Sequence, residues 1–443
     1  MPQKSETSAD PSPFPLPTVV DPWIMEKLVK DVFQDNLDPL KEAVESAKSY
    51  DIPQMKAWGV HNAQDFLRFA SGMLTWIPSE TCDGKLLYNT LCLFYFILDQ
   101  PSLSIPRYST QICPESVDRP LAPLSRWTVD FARKIGEWMS TGGSVTKEAI
   151  QSFQDSPRYN YGEAAPPPGG EWKNFNQLFA RHLKKGMRPI SAGSPTNANY
   201  DRVVVYPADS TFDGAWPIDL KEEVNIKGLN WKVKDLLKSS EYASHFKGGI
   251  WMHAFLNTFD YHRQHAPVGG TVVEANVIQG LAYLQVVANS DTGELKPHRS
   301  YATREPKQSR AQQLSHSSFG SVDAPDDAGY QFLQARGCVI IKNQLLGYVA
   351  VLPIGMAQVS SVKLAWEPKQ GEKYPIQPNV NIKKGDEISH FEFGGSDIVL
   401  VFQKDADIQI LGAQDVDAQG KVTSKQKYLV GMPLGYSTKG LQP

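Results

Sequence analysis

HFEFGGSDIVLV, residues 390–401, is the segment that says most about the fold of this chain. Gly394 and Gly395 give the backbone a freedom that other residues lack, and apolar residues alternate on both sides of them. This pattern predicts a flexible point inside a β-sheet, with Ser396 beside it. Taken alone, a Gly-Gly-Ser tripeptide is most often a bulge or a tight turn.

Three other segments add information when they are considered together with this tripeptide. Residues 179–190 are FARHLKKGMRPI, residues 206–210 are YPADS, and residues 260–270 are DYHRQHAPVGG. In this order, followed by Gly-Gly-Ser, they resemble the motifs of the phosphatidylserine decarboxylase family of pyruvoyl enzymes. The resemblance runs from about Phe175 to about Gln403. Because of its extra N-terminal region, the chain looks most similar to fungal soluble L-tryptophan decarboxylase-like members.

The resemblance implies that the chain cuts itself between Gly395 and Ser396. The Ser396 hydroxyl would attack the Gly395 carbonyl to form an ester, and removal of the α-proton of residue 396 would expel the new carboxylate. Hydrolysis of the resulting dehydroalanine would release ammonia and leave a pyruvoyl group, which is the expected cofactor. The two chains produced by the cut are expected to remain associated.

Self-cleavage requires a base, because a serine hydroxyl is a weak nucleophile near neutral pH and imidazole is the side chain best matched to that range. By resemblance this base is His265, the second histidine of the family's Tyr-His-Arg-x-His motif. Asp209 would accept the other ring N–H of His265 and complete a triad with Ser396. His262, the first histidine of the motif, would return a proton to the substrate after carbon dioxide leaves.

The chain departs from the family pattern next to the cleavage site. The usual Leu-Gly-Ser-Thr is here Gly394 to Asp397, and Pro-Ala-Asp-Gly ends in Ser210. Asp397 adds a carboxylate beside the cofactor, which would either bind a substrate ammonium group or cap a turn. The departure leaves substrate identity open. We expect decarboxylation of a soluble L-amino acid, an aromatic one by likeness to the fungal members, and the alternative substrate is phosphatidylserine, giving phosphatidylethanolamine.

The sequence also bears on three other interpretations, namely a serine hydrolase, a metal site and an inactive module. A serine hydrolase elbow needs glycine at position 398, and Ile398 stands there. His262 and His265 are three residues apart with no cysteine or acidic cluster nearby, so no metal site is predicted. An inactive carrier-like or structural module stays open, and in that case Ser396 would never be processed.

Composition limits the possible partners and location. The net charge of −3 gives no electrostatic footprint for nucleic acid or for an anionic membrane. The four cysteines form no CxxC pair, which is typical of a reducing compartment and of buried structural thiols. The longest apolar run, residues 91–98, is far shorter than the ~20 residues that span a bilayer. We therefore expect a cytoplasmic enzyme without an integral membrane segment, and a homo-oligomer stays open.

The order of patterns predicts an α+β fold. Apolar residues recur at helical spacing through Ile24, Leu28 and Val32 and in later segments, whereas short β-rich runs dominate from Val203 onward. We expect a helical N-terminal region followed by a β-rich phosphatidylserine decarboxylase-like core of packed sheets. A long polar stretch, residues 289–327, would be either a lid or disordered. The predicted parts are a disordered tail (1–20), a helical N-terminal domain (21–163), a Pro/Gly linker (164–172) and a pyruvoyl-dependent decarboxylase domain (173–443).

Overall fold

The protein is described here from a computed structural model that covers residues 22–441, apart from residues 198, 227–228, 239, 289–294, 298–328, 358–361, 413 and 417–421. The predicted tail, residues 1–20, lies outside the described residues, as does nearly all of the stretch from 289 to 327. The described chain confirms the α+β fold, with helices gathered toward the N-terminus and antiparallel sheets after them.

Helices are the main elements of residues 22–180. The α-helices are α1 Pro22–Lys27, α2 Asp38–Lys48, α3 Pro53–Ala57, α4 Ala63–Met73, α5 Leu86–Leu98, α6 Pro123–Met139, α7 Lys147–Asp155, α8 Phe175–Phe179 and, inside the β-rich part, α9 Val233–Leu236. A π-helical turn, Leu28–Val32, continues α1.

Local sequence explains where these helices begin. The Asn62 side chain accepts the N–H of Asp65 at the start of α4, and the Thr146 hydroxyl accepts the N–H of Ala149 at the start of α7, which are typical N-terminal caps. Residues 90–98 of α5 are all buried, because this helix is apolar on every side and lies in the middle of the helical part.

The described residues from Val203 onward contain twenty strands. They are β1 Val203–Val205, β2 Ser210–Pro217, β3 Glu223–Ile226, β4 Leu229–Lys232, β5 Ile250–Leu256, β6 Arg263–His265, β7 Gly270–Ile278, β8 Val286–Ala288, β9 Leu295–Pro297, β10 Arg336–Asn343, β11 Gly347–Met356, β12 Val362–Leu364, β13 Val380–Ile382, β14 Glu387–Phe391, β15 Gly395–Phe402, β16 Ile408–Ile410, β17 Gln414–Val416, β18 Val422–Lys425, β19 Lys427–Tyr428 and β20 Pro433–Ser437.

An eight-stranded antiparallel sheet forms the centre of the β-rich part, in the order β13-β7-β10-β11-β15-β5-β2-β19. Strand β15 is an inner strand and pairs with β11 on one side and β5 on the other. Three-stranded sheets β12-β14-β6 and β1-β20-β16 and three two-stranded hairpins complete the described strands. The expectation that strands dominate from Val203 onward is confirmed for the described residues.

The helical part and the sheets share a continuous hydrophobic core. The Tyr95 hydroxyl of α5 donates to the Ala282 carbonyl at 3.1 Å, and the Trp76 ring meets the Phe393 ring edge-on at 5.9 Å. The side-chain oxygen of Asn176 accepts the Phe393 N–H at 3.0 Å. Phe393 comes directly before the paired glycines, so the helical part contacts the chain next to Ser396.

The cysteines differ in part from the expectation of buried thiols. Cys92 and Cys338 are buried, whereas Cys113 is half-buried and Cys82 is exposed. Cys82 follows the end of α4 in a connecting segment and is not part of the core.

Candidate active site

Ser396 lies in an inner strand of the large sheet and is completely buried. In β15 it pairs with Leu256 of β5 and with Gly355 of β11. Its hydroxyl oxygen has no hydrogen-bond partner among the described residues. Buried hydroxyl groups normally have partners, because leaving one unsatisfied costs about 1–3 kcal/mol. An unpartnered hydroxyl at the predicted cleavage residue is therefore a feature that needs an explanation.

The backbone around this serine is unusual. Gly394 has φ of +142°, in a region that side chains disfavour, which explains the glycine that precedes the cleavage pair. The N–H of Gly395 donates to the carbonyl of Ala357 at 3.1 Å, and Ala357 itself has a positive φ of +37°. Sparsely populated conformations of this kind cluster at functional sites.

Gly395 is one of the residues that line a cavity of about 460 Å³. Its walls are largely apolar, and they include Leu256, the direct cross-strand partner of Ser396, together with Met356 and Ala357. Ser396 itself is buried and does not line the cavity, but Gly395, which precedes it in the chain, and Leu256, which pairs with it across the sheet, both do. The Gly395–Ser396 bond therefore lies at the cavity wall.

His262 lies beside this cavity. Its Nε2 is 3.1 Å from the carbonyl oxygen of Thr258, which lines the cavity, and its ring stacks on Phe179 at 3.9 Å. Because a carbonyl can only accept, Nε2 carries the proton and Nδ1 has a free lone pair. Nδ1 is buried without a hydrogen-bond partner among the described residues. Burial lowers the pKa of His262 to about 3, which keeps the ring neutral.

His265 is placed differently from the triad expected from sequence. Its Nδ1 donates to the Gly385 carbonyl at 2.7 Å, and its Nε2 is 3.1 Å from the Tyr261 hydroxyl, which therefore donates to it. Both ring nitrogens thus have partners other than Asp209 and Ser396. His265 pairs with Glu387 at one end of β14, whereas His262 bonds through its carbonyl to Phe391 at the other end, nearer Ser396. Four residues of strand separate these ends, roughly 13 Å.

Asp209 is engaged by Arg188. The guanidinium donates to both carboxylate oxygens, with Nε at 2.8 Å from Oδ1 and Nη2 at 2.6 Å from Oδ2, and the Val430 N–H donates to Oδ1 at 2.9 Å. The predicted hydrogen bond between Asp209 and His265 is absent, because both groups are satisfied elsewhere. Burial lowers the pKa of His265, and the charge of Asp209 is among the effects that oppose this. Asp209 therefore acts on the pKa of His265 through the electrostatic field of its carboxylate and not through a hydrogen bond.

Asp397 fits neither of the roles expected from sequence. It follows Ser396 in β15, so its side chain points to the opposite face of the sheet. There it is completely buried, with Oδ2 at 3.0 Å from Nε2 of His253 and accepting the Tyr330 hydroxyl at 2.8 Å. It neither faces the cavity at Gly395 nor caps a turn, because these two partners hold it in the sheet.

His253 joins two buried carboxylates. Its Nδ1 is 2.9 Å from Asp213 and its Nε2 is 3.0 Å from Asp397, and both nitrogens can donate only when the ring is protonated. Burial alone would lower the pKa of His253, but Asp397 and Asp213 outweigh it and raise the pKa to about 9. The ammonium group of Lys425 also pairs with Asp213. No sequence motif indicates this cluster, although the histidine inside the apolar strand WMHAFL is a signal for it.

Within the described residues, no helix is both long and apolar enough to cross a membrane. The described part of the chain also contains no group of three or more histidine, cysteine or acidic side chains arranged to hold a metal ion.

Comparison with protein families gives one match that spans most of this site. Residues 175–435 match the family model described as phosphatidylserine decarboxylase. The matched segment includes the four motifs, Ser396 and both histidines of the Tyr-His-Arg-x-His motif.

Curated relatives agree with that match. The chain is 27% identical over 289 residues to the phosphatidylserine decarboxylase proenzyme of Vibrio parahaemolyticus, which covers 62% of this chain and 86% of the relative. It is 29% identical over 266 residues to the proenzyme of Myxococcus xanthus, covering 58% and 79%. The proenzyme of Clostridium perfringens is 26% identical over 309 residues, covering 69% and 84%. The likeness to fungal L-tryptophan decarboxylases is not among these similarities.

Proposed function

Because the chain belongs to the phosphatidylserine decarboxylase family, and is thus a decarboxylase of the carboxy-lyase class, we propose that it matures by breaking its own Gly395–Ser396 bond and then decarboxylates phosphatidylserine. The observation that carries the proposal is the buried, unpartnered hydroxyl of Ser396 beside a cavity that begins at Gly395. The relatives' description as proenzymes supports a precursor that is cut.

The site fits a pyruvoyl group formed from Ser396. A hydroxyl without a competing hydrogen bond is available to add to the adjacent Gly395 carbonyl, and the disfavoured φ of Gly394 holds the neighbouring backbone in a conformation that few residues adopt. Loss of the α-proton of residue 396 expels the Gly395 carboxylate, and hydrolysis then releases ammonia. The pyruvoyl group supplies an electron-accepting carbonyl that ordinary side chains lack.

Two histidines are candidates for moving protons at this site. His262 has a free Nδ1 lone pair and lies at the Ser396 end of β14, which favours it as the proton carrier beside the cavity. His265 stays the predicted base of self-cleavage by family resemblance, with Asp209 acting on it through its field. In that role, Nε2 of His265 has to give up its hydrogen bond with the Tyr261 hydroxyl in order to accept the Ser396 proton, because Nδ1 already carries a proton that it donates to Gly385.

The cut chains should stay together. Strand β15 begins at the cleavage site and pairs with β11 and β5 along its length, and β19 and β20 of the smaller chain pair with β2 and β1 of the larger chain. Separating the smaller chain would break all of these ladders and expose the buried residues of β15.

Phosphatidylserine is the first candidate substrate because each relative described above is named for it. A soluble amino acid is the second candidate, and a specific feature favours it. Helix α5 covers one side of the cavity, and aromatic side chains, among them Tyr88 and Phe259, contribute to its walls. A partly covered apolar cavity of this size suits a small aromatic ligand.

Denaturing electrophoresis with mass analysis tests the first half of the proposal. We expect the purified protein to separate into residues 1–395 and a smaller chain that begins at residue 396 with a pyruvoyl end. A single uncut chain would instead favour the inactive carrier-like module.

Carbon dioxide release tests the second half. The processed protein is incubated separately with phosphatidylserine vesicles and with free L-amino acids, including L-tryptophan. Release from vesicles alone supports the first candidate substrate. Release from a free amino acid alone would reject phosphatidylserine and establish the second.

A further inference from the structure

A tight turn, residues 257–260, connects β5 to the segment that carries His262. The Asp260 N–H donates to the Asn257 carbonyl at 3.0 Å, which closes a β-turn. The Thr258 carbonyl accepts the N–H of His262 Nε2, so the shape of this turn decides which ring nitrogen of His262 carries the proton. Three residues of the turn also line the cavity described above, namely Asn257, Thr258 and Phe259.

A buried carboxylate holds the turn in this shape. Asp260 is 2% exposed, and its Oδ2 accepts the Asn257 N–H at 2.7 Å. Its Oδ1 is paired with the ammonium group of Lys427. Burial raises the pKa of Asp260, and the charge of Lys427 is the largest of the effects that oppose this shift. Without Lys427, the turn would depend on a buried carboxylate that has lost its counter-charge.

Lys427 contacts the turn at a second point and comes from a distant part of the chain. Its ammonium group lies over the Phe259 ring at 5.2 Å. Its backbone lies in β19 and pairs with Thr211 of β2, so the large sheet fixes its position. Lys427 follows Ser396 in the sequence and belongs to the smaller chain of a cut protein, whereas the turn belongs to the larger chain. The ion pair therefore joins the two chains beside the cavity.

We propose that Lys427 and Asp260 are positioning residues, whose ion pair holds the turn so that the His262 proton stays on Nε2 and the Nδ1 lone pair stays available for proton transfer. Neither side chain is among the described residues that line the cavity, so the pair acts through the Thr258 carbonyl. The part of His262 in proton transfer rests on the proposed function. Its tautomer does not, and the tautomer can be measured by itself.

Nitrogen NMR of the uncut protein tests the positioning separately from catalysis. Ser396→Ala protein is labelled with nitrogen-15 in its histidine rings, and the His262 signals are those that disappear in His262→Gln. In the parent we expect a neutral ring with its proton on Nε2. Lys427→Gln and Asp260→Asn should each add a second set of His262 signals, with the proton on Nδ1. Lys427→Arg keeps the charge and should give the spectrum of the parent.

Turnover of the cut protein gives a second measurement. With the substrate that the parent decarboxylates, Lys427→Gln should lower kcat per cut chain by about 10–100-fold and change KM by less than about twofold, because a displacement of about 1 Å at a reacting group costs up to about 100-fold in rate. Lys427→Arg should keep most of the activity. Asp260→Asn combined with Lys427→Gln should be no slower than the slower single variant, since both remove the same ion pair.

The control is Lys404→Gln, which removes an exposed lysine of the smaller chain and should match the parent in both measurements. Thermal unfolding shows which variants are folded. The Lys427 side chain is 39% exposed, whereas that of Asp260 is fully buried, so Lys427→Gln decides the question where Asp260→Asn does not fold.

The positioning role is overturned if folded Lys427→Gln shows only the His262 signals of the parent, whatever its kcat. It is equally overturned if the parent ring carries its proton on Nδ1, or if Lys427→Gln keeps the parent kcat. Failure of the proposed function has a different readout. It would appear as an uncut wild-type chain or as processed protein that releases no carbon dioxide, and the spectra of Ser396→Ala protein do not depend on either.

Discussion

Replacing His253 should destabilise the protein because this imidazolium lies between two buried carboxylates. In His253→Gln, Asp397 and Asp213 lose the positive charge that faces each of them at 2.9–3.0 Å. Tyr330 still donates to Asp397 and Lys425 still pairs with Asp213, so the carboxylates are not left without any partner. Removing one member of a buried charge pair typically costs about 3–5 kcal/mol. We expect the free energy of unfolding of His253→Gln to fall by an amount near the lower end of that range.

The same ion cluster predicts a dependence on pH. The folded pKa of His253 is raised to about 9, above the ~6.5 of an unfolded histidine. Its contribution is therefore fully present below about pH 6.5 and is lost as the pH rises through 9. The difference of about 2.5 pH units corresponds to about 3 kcal/mol. Burial lowers the pKa of Lys384 to about 8, and this shift makes the protein more stable as the pH rises above 8. The effect of His253 is therefore measured as the difference in stability between parent and variant at each pH.

Urea unfolding of the uncut Ser396→Ala protein measures both effects, since cleavage cannot then complicate the transition. The free energy of unfolding should fall by about 3 kcal/mol per molar urea, so the unfolding midpoint of His253→Gln should lie about 1 M below that of the parent at pH 6.5. The difference between the two midpoints should become smaller toward pH 10. His245→Gln, which replaces an exposed histidine beside Tyr348, should stay within about 0.5 kcal/mol of the parent. If His253→Gln lowers the free energy of unfolding by less than about 1 kcal/mol, or if the difference between the midpoints does not change with pH, His253 is not a charged imidazolium between Asp213 and Asp397.

Three further predictions concern the cleavage site. Ser396→Ala should remain one chain on denaturing electrophoresis and release no carbon dioxide, because the hydroxyl is required to break the bond; any cut at residue 395 would contradict this. His262→Ala should be processed yet lose most decarboxylation if its free Nδ1 serves the substrate, and His265→Ala should stay uncut if His265 is the base of self-cleavage. If electrophoresis showed His262→Ala uncut, and His265→Ala were cut but released little carbon dioxide, the two roles would be exchanged. Gly394→Ala should destabilise the uncut chain by about 1–3 kcal/mol and slow its processing, because φ of +142° strains a residue with a Cβ, and a time course at wild-type speed would argue against a backbone constraint.

Features that depend on neighbours along the chain could be predicted from sequence. The alternation around Gly394 and Gly395 indicated a flexible point inside a β-sheet with Ser396 beside it, and Ser396 lies near the start of the inner strand β15. The apolar run within α5 indicated a buried helix, and it is buried. Resemblance to the family motif indicated His262, and it does lie beside the cavity.

Features that depend on distant partners could not be predicted in the same way. The expected bond between Asp209 and His265 is absent because Arg188 and Gly385 bind those groups instead, and no spacing rule indicates such competition. The His253 cluster combines side chains from β2, β5, β15 and β18 with Tyr330, and none of its members forms a motif with another.

The position of Gly395 on the cavity surface, with Ser396 buried next to it, bears on how such a protein would be regulated. One covalent event would create the reactive group, so the uncut precursor would have no turnover. Since nitrogen leaves as ammonia and a backbone linkage is lost, no reversal is available to the mature molecule. Control over activity would then rest on how fast newly made chains convert and on how soon converted ones are degraded.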